Sequence, residues 1–108
     1  MTPINLGVFF IFIFMEIDLR LKINEYFSLS ISDRDQLIAD LVEFYFSRNV
    51  SVRTLNEFEV SIGQLIFNLE MEHNFAVKSE AYNRAEIYFK LCRIFHQIRD
   101  EYYNTMEE

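Results

Sequence analysis

The sequence predicts an all-α fold, a small helical bundle of three to four helices with an extended or β-like apolar arm at its N-terminus. Only two glycines, Gly7 and Gly63, and one proline, Pro3, occur in 108 residues, whereas β-rich folds need frequent Gly and Pro turns. Apolar residues also recur at spacings of three and four along several long segments. Since 51% of the residues are apolar, the chain can bury a core without disulfides or metals.

The first fifteen residues, MTPINLGVFFIFIFM, carry no charged side chain. The apolar run from Val8 to Met15 is shorter than the roughly 20 residues of a membrane-spanning helix. Its density of Phe and Ile favours a strand or extended arm that the domain or a partner covers. Two other interpretations remain: an extension upstream of a start at Met15, and a membrane-surface anchor, which the lack of basic residues before Arg20 disfavours. We expect an arm over residues 1–15, a single helical domain over residues 16–108, and candidate interaction residues Phe9, Phe10, Phe12 and Phe14.

The next segment, EIDLRLKI at residues 16–23, alternates polar and apolar side chains. This alternation is typical of a strand with one buried face. The same residues also fit a helix that runs to Phe27, with Leu19, Ile23 and Tyr26 on one side. The local sequence leaves both alternatives open.

The clearest helical patterns lie in the middle of the chain. Residues 32–47 are predicted to be helical, with Ser32 as the N-cap, and residues 48–53 read as a connection. A second helix is predicted over residues 55–73, because Thr54 followed three residues later by Glu57 has the spacing of a capping box. Its core-facing seam is formed by Leu55, Phe58, Ile62, Leu65 and Leu69.

The last predicted helix follows a break at residues 74–78, where Asn74 interrupts the pattern. Ser79 is a candidate N-cap for a helix over residues 80–103. The apolar seam of this helix consists of Tyr88, Leu91, Phe95, Ile98 and Tyr102, widened by Ile87, Cys92 and Ile94.

Charge and cysteine content exclude several classes of function. The formal net charge is −7 and no run of Lys or Arg occurs, so we expect no direct binding of nucleic acid. One cysteine, Cys92, cannot form an internal disulfide, which favours a reducing compartment such as the cytoplasm. His96 lies one helical turn after Cys92, but the apolar stripe around the thiol favours a core position over a nucleophile.

Catalytic and metal-binding motifs are missing from the sequence. Two isolated glycines cannot form a phosphate-binding loop, and paired cysteines for zinc are absent. Di-iron helical bundles carry a Glu-x-x-His motif on each of two helices, and here only one such fragment occurs, Glu70-x-x-His73, so half of the expected ligands are missing. We therefore expect a protein that is not an enzyme and has no cofactor, no metal and no membrane span.

Apolar and acidic residues outside the seams indicate how the protein acts. Val60, Phe67 and Met71 follow a second line along the helix over residues 55–73, away from its seam. We expect a non-enzymatic helical protein-interaction or assembly module that acts through apolar helix faces, with a protein partner or a homo-oligomer. The alternative is a small acidic inhibitor, of the type carried by phages or mobile elements, that occupies the basic groove of a nucleic-acid-handling enzyme. In that alternative Glu59 and Glu70 would contact the partner.

Overall fold

In the computed structural model, which describes residues 18–106, the regular elements are all helical and no strand occurs within that range. The elements are α1 at residues 18–24, a 3₁₀ turn at Tyr26–Ser28, α2 at Ile31–Asn49, α3 at Leu55–Lys78 and α4 at Tyr82–Met106. The all-α prediction is confirmed for these residues. The strand alternative for residues 16–23 is wrong from residue 18 onward, because Leu19 and Ile23 are buried together on one side of a helix. The predicted N-terminal arm, with Phe9, Phe10, Phe12 and Phe14, lies outside the described residues.

The ends of α2 differ from the prediction by about two residues. Ser30, not Ser32, is the N-cap, and its hydroxyl accepts a hydrogen bond of 3.1 Å from the backbone N–H of Asp33. The side-chain oxygen of an N-cap residue accepts from the backbone N–H two or three residues later, and Ser30 stands three residues before Asp33. At the other end the helix continues to Asn49, so the connection to α3 begins at Val50.

The start of α3 confirms Thr54 as its N-cap. The Thr54 hydroxyl accepts a hydrogen bond of 3.1 Å from the backbone N–H of Glu57. The Glu57 carboxylate instead accepts a hydrogen bond of 2.8 Å from the Ser51 hydroxyl and lies 3.4 Å from Nε of Arg53. The acid of the capping box therefore ties the α2–α3 connection to the first turn of α3.

The predicted break at residues 74–78 is wrong, because α3 continues to Lys78 and Ala76 is buried against the core. Ser79 is the C-cap of α3 and not the N-cap of α4. The backbone N–H of Ala81 donates to the carbonyl of Ala76 and that of Glu80 donates to Val77, which is the Schellman pattern. Glu80 has a φ of 58° in this turn, a position that usually carries glycine. The missing glycine explains why the sequence pattern did not reveal this boundary.

The core lies where α3 and α4 pack as an antiparallel hairpin and α2 crosses both helices. At one end the Phe58 and Tyr102 rings stack with centroids 3.8 Å apart, and toward the other end His73 lies 5.9 Å from the Phe89 ring. The buried residues are Leu19, Ile23, Tyr26, Leu37, Ile38, Leu41, Phe58, Ile62, Leu65, Ile66, Leu69, Ala76, Ile87, Leu91, Cys92 and Phe95. The predicted α3 seam is therefore buried except for Leu55, which lies exposed at the first turn of α3. In the predicted α4 seam Leu91 and Phe95 are buried, and the other three residues are partly buried and pack against the core.

Polar side chains of α4 attach the first described segment to the hairpin. Asn83 accepts a hydrogen bond of 3.0 Å from the backbone N–H of Phe27 and donates one of 3.2 Å to the carbonyl of Asn24. Lys90 Nζ donates a hydrogen bond of 2.6 Å to the hydroxyl of Tyr26, whose ring is buried. Within residues 18–106, no helix combines the length and apolar character needed to cross a bilayer.

Candidate interaction surface

An apolar stripe runs along the side of α3 that points away from the core. Val60, Phe67, Met71 and Phe75 are 66%, 55%, 56% and 67% exposed, respectively. They follow one another at spacings of seven, four and four residues, which places them on one face of an α-helix. At about 1.5 Å per residue the stripe is about 22 Å long. We call these four residues the α3 stripe.

Three members of the α3 stripe were predicted as interaction residues, and the structure places all three on the outer face. Phe75 was not among the predicted interaction residues, because the helix was predicted to end at residue 73. Its spacing of four from Met71 was the signal that would have included it. These four large apolar side chains lie on the side of α3 opposite the core, so the packing of the helices within residues 18–106 does not account for them.

Gly63 lies beside the α3 stripe, three residues after Val60 and four before Phe67. A Cβ at this position would meet no other atom within 4 Å. The glycine is therefore not required by any close helix crossing within the described residues. It lowers helix stability by about 1 kcal/mol relative to alanine. A helix from another molecule could approach the backbone closely at this position.

Glu59 and Glu70 lie on one flank of the α3 stripe, and both interact with α4. Oε1 of Glu70 is 3.3 Å from Nε2 of His96, and Nη2 of Arg99 is 3.0 Å from Nδ1 of the same imidazole. The guanidinium can only donate, so this geometry fits a neutral imidazole that accepts at Nδ1 and donates to Glu70 from Nε2. Desolvation and then a hydrogen bond to Glu59 raise the pKa of Tyr103.

The Cys92 thiol lies in the core, as the apolar pattern predicted. Desolvation, with a smaller effect of the Glu70 charge, raises the pKa of this thiol to about 11. Since the thiolate is the nucleophile, the pair of Cys92 and His96 is poorly suited to covalent chemistry at neutral pH. No group of three potential metal ligands occurs among the described residues. In the Glu70-x-x-His73 fragment, the His73 ring lies beside the Phe89 ring, with centroids 5.9 Å apart.

We expect the free energy of unfolding to fall by roughly 3–4 kcal/mol as the pH rises from 8 to 11. Desolvation raises the pKa of Cys92, Tyr45 and Tyr88 in the folded state. The unfolded chain releases these protons near the ordinary values of about 8.5 and 10, whereas the folded chain retains them. The unfolded state therefore binds fewer protons in this pH range, and stability decreases with pH. Urea unfolding at pH 8, 9.5 and 11 measures the decrease.

Tyr45→Phe is the informative variant in this experiment, because it removes one of the buried phenols. Its stability should fall less between pH 9.5 and 11 than that of the unsubstituted protein. Tyr82→Phe, at an exposed ring, serves as the matched control and should leave the slope unchanged. Stability that is constant from pH 8 to 11 would contradict the burial of these groups.

No family model, curated protein or solved structure matches the chain.

Proposed function

We propose that this protein is a non-enzymatic interaction module whose α3 stripe binds an apolar helix face of a protein partner. The observation that carries the proposal is the stripe itself, four large apolar side chains over four helical turns with the core on the opposite side of the same helix. Binding would remove this surface from water, at about 25 cal/mol for each Å² of apolar area buried. Apolar surfaces of this kind bind amphipathic helices whose contact residues are spaced by three, four and seven.

The charge of α3 favours a partner with basic residues beside its apolar face. The helix carries four carboxylates, at Glu57, Glu59, Glu70 and Glu72, and its only Lys or Arg is Lys78. Two copies packed through this face would bring two acidic helices together, which is unfavourable. A partner helix flanked by Lys or Arg complements the same charges. We therefore favour a different protein over a homo-oligomer as the partner.

The acidic-inhibitor hypothesis receives less support from this surface. Glu70 contacts His96, and Glu59 accepts a hydrogen bond from Tyr103, so both predicted carboxylates have partners on α4. A mimic of nucleic acid needs carboxylates available to a basic groove. The acidic-inhibitor hypothesis predicts that the double variant Glu59→Gln, Glu70→Gln no longer binds the partner. Binding through the apolar stripe predicts only a modest loss of affinity in this variant, similar to the loss caused by added salt.

The test is a pull-down from native lysate with the full-length chain and with the double variant Phe67→Ser, Met71→Ser. We expect a stoichiometric partner with the unsubstituted protein and at least about a tenfold lower recovery with the double variant, since each lost apolar contact costs more than about 1 kcal/mol. Tyr82→Ser removes an exposed apolar ring at the start of α4 and is the matched control. Equal recovery with the double variant and the control would contradict the proposal.

Gly63→Gln separates binding from folding in the same experiment. The substitution should raise the stability of the isolated protein by roughly 0.5–1 kcal/mol, because glutamine is a better helix former than glycine. The longer side chain would stand between Val60 and Phe67 and keep a partner helix away from the α3 backbone. A variant that is more stable but binds less cannot be explained by unfolding.

A further inference from the structure

A second surface feature, unrelated to the α3 stripe, is a cleft of about 720 Å³ between α1, the second half of α2 and the first turns of α4. Leu19 and Leu41 contribute apolar surface to the cleft, and the rings of Tyr45 and Tyr88 form part of its wall. No residue of α3 lines it. The volume lies within the range of about 300–1,000 Å³ that is typical of sites for small molecules.

The charge of the cleft is opposite to that of the protein. Arg20, Arg48 and Arg84, each from a different helix, line the cleft, and no Asp or Glu within residues 18–106 does. These are three of the 10 Lys and Arg residues in a chain of net charge −7. The charge of Glu72, which does not line the cleft, contributes to the raised pKa of both Tyr45 and Tyr88. A basic cleft in an acidic protein attracts anions to one place on its surface.

Two of the arginines are held in position by contacts with their neighbours. Nη2 of Arg84 donates a hydrogen bond of 3.3 Å to Oδ1 of Asn24 on α1. The guanidinium of Arg48 lies 4.8 Å from the centre of the Phe44 ring, within the range of a cation–π contact. A guanidinium carries five N–H donors, and ordering it before a ligand binds lowers the entropic cost of binding.

We propose that this cleft binds a small organic anion, a carboxylate or phosphate group attached to an apolar body about the size of an aromatic ring. The planar guanidinium of arginine matches the paired oxygens of either group. The apolar side chains would cover the body of the ligand. The hydroxyl of Tyr88, which accepts a hydrogen bond from Tyr45, would donate one to the ligand. Burial raises the pKa of Tyr45 and Tyr88, so both hydroxyls keep their protons at neutral pH.

The test is an NMR titration of the ¹⁵N-labelled full-length protein with phenyl phosphate, benzoate, inorganic phosphate and benzyl alcohol. Phenyl phosphate or benzoate should give saturable shifts of the amides at residues 19–24, 41–49 and 84–88. Whichever of phenyl phosphate and benzoate binds more tightly identifies the anionic group that the cleft prefers. Inorganic phosphate, which lacks the apolar body, and benzyl alcohol, which lacks the charge, should each bind at least about tenfold more weakly.

Arg48→Gln and Arg84→Gln should each weaken the binding at least about fivefold, because each removes one charged donor from the cleft. All three cleft arginines are exposed, so these variants should retain the amide spectrum of the folded protein. Arg93→Gln, on the exposed surface of α4 near Phe89, is the matched control and should leave the affinity unchanged. The proposal is overturned if neither phenyl phosphate nor benzoate gives saturable shifts there, if benzyl alcohol binds as tightly as these two anions, or if the shifts persist equally in both variants.

Discussion

Phe58→Ala is expected to lower the free energy of unfolding by about 3–5 kcal/mol. The Phe58 ring is 0% exposed and stacks on Tyr102 with centroids 3.8 Å apart. Alanine would remove the buried ring, leave a cavity between α3 and α4, and eliminate the aromatic contact. Since domains of this size are stable by only about 5–15 kcal/mol, the loss is a large fraction of the total. The melting temperature should fall by at least about 10 °C.

Phe67→Ala is the matched control, because the same residue type on the same helix is changed on the opposite face. Phe67 is 55% exposed, so its removal from the isolated protein should alter stability by less than about 0.5 kcal/mol. Urea unfolding of both variants, followed by far-UV circular dichroism, measures the contrast. If the two variants were equally unstable, the assignment of inner and outer faces of α3 would be incorrect.

These two phenylalanines also show what the sequence alone predicts well. Periodicity placed Phe58 in the core seam and Phe67 on a separate line, and the structure separates them in the same way. The reason is physical, since a helix of 24 residues repeats its faces six times or more and each repeat adds weight to the pattern. The prediction that Val60, Phe67 and Met71 form an interaction surface stays a prediction, although their position on the outer face supports it.

Helix boundaries were predicted less well, because they depend on a few residues. α3 ends in a Schellman turn with Glu80 in the left-handed region, and without glycine the sequence carries no signal for this turn. The stop was instead assigned to Asn74, whose lower helix propensity amounts to a few tenths of a kcal/mol. The burial of Ala76 in the core outweighs so small a preference. As a consequence, Phe75 was left out of the predicted surface.

The arginine-lined cleft could not be predicted from the sequence. Arg20, Arg48 and Arg84 are 28 and 36 residues apart, and each is surrounded along the chain by ordinary helical residues. They line one cleft only because α1, α2 and α4 pack together. Sequence reasoning detects charge runs and local spacing, whereas this site depends on the tertiary arrangement.

Arg34 provides the second large effect, and it too depends on contacts that sequence spacing does not reveal. Its Nε donates to the carbonyls of Tyr26 and Leu29 at 3.0 and 3.1 Å, and its Nη2 donates to the carbonyl of Phe27 at 2.6 Å. The guanidinium also lies 5.4 Å from the centre of the buried Tyr26 ring. One side chain therefore closes the connection between α1 and α2.

Arg34→Met should lower the free energy of unfolding by about 2–4 kcal/mol, since hydrogen bonds from a charged donor contribute about 1.5–3 kcal/mol each and do not add fully. Methionine keeps much of the apolar stem but cannot donate, so the carbonyls of Tyr26, Phe27 and Leu29 lose this donor. The Tyr26 carbonyl still accepts a hydrogen bond from the backbone N–H of Leu29. Arg34→Lys should recover less than half of the loss, because an ammonium group cannot reproduce the planar fork. Arg53→Met, which removes an exposed ion pair with Glu57, is the control and should change stability by less than about 1 kcal/mol.

Hydrogen exchange locates the effect of Arg34 and distinguishes it from general destabilisation. In Arg34→Met, amides at residues 26–30 should exchange faster at denaturant concentrations where the α3–α4 core remains protected, because the lost bonds belong to the α1–α2 connection. Unchanged exchange there would mean that Tyr26 is held by its burial and by Lys90 alone. Faster exchange would show that Arg34 keeps α1 against α2 and α4. In that case the same arginine fixes the helix that forms one wall of the proposed anion cleft, although it does not line the cleft itself.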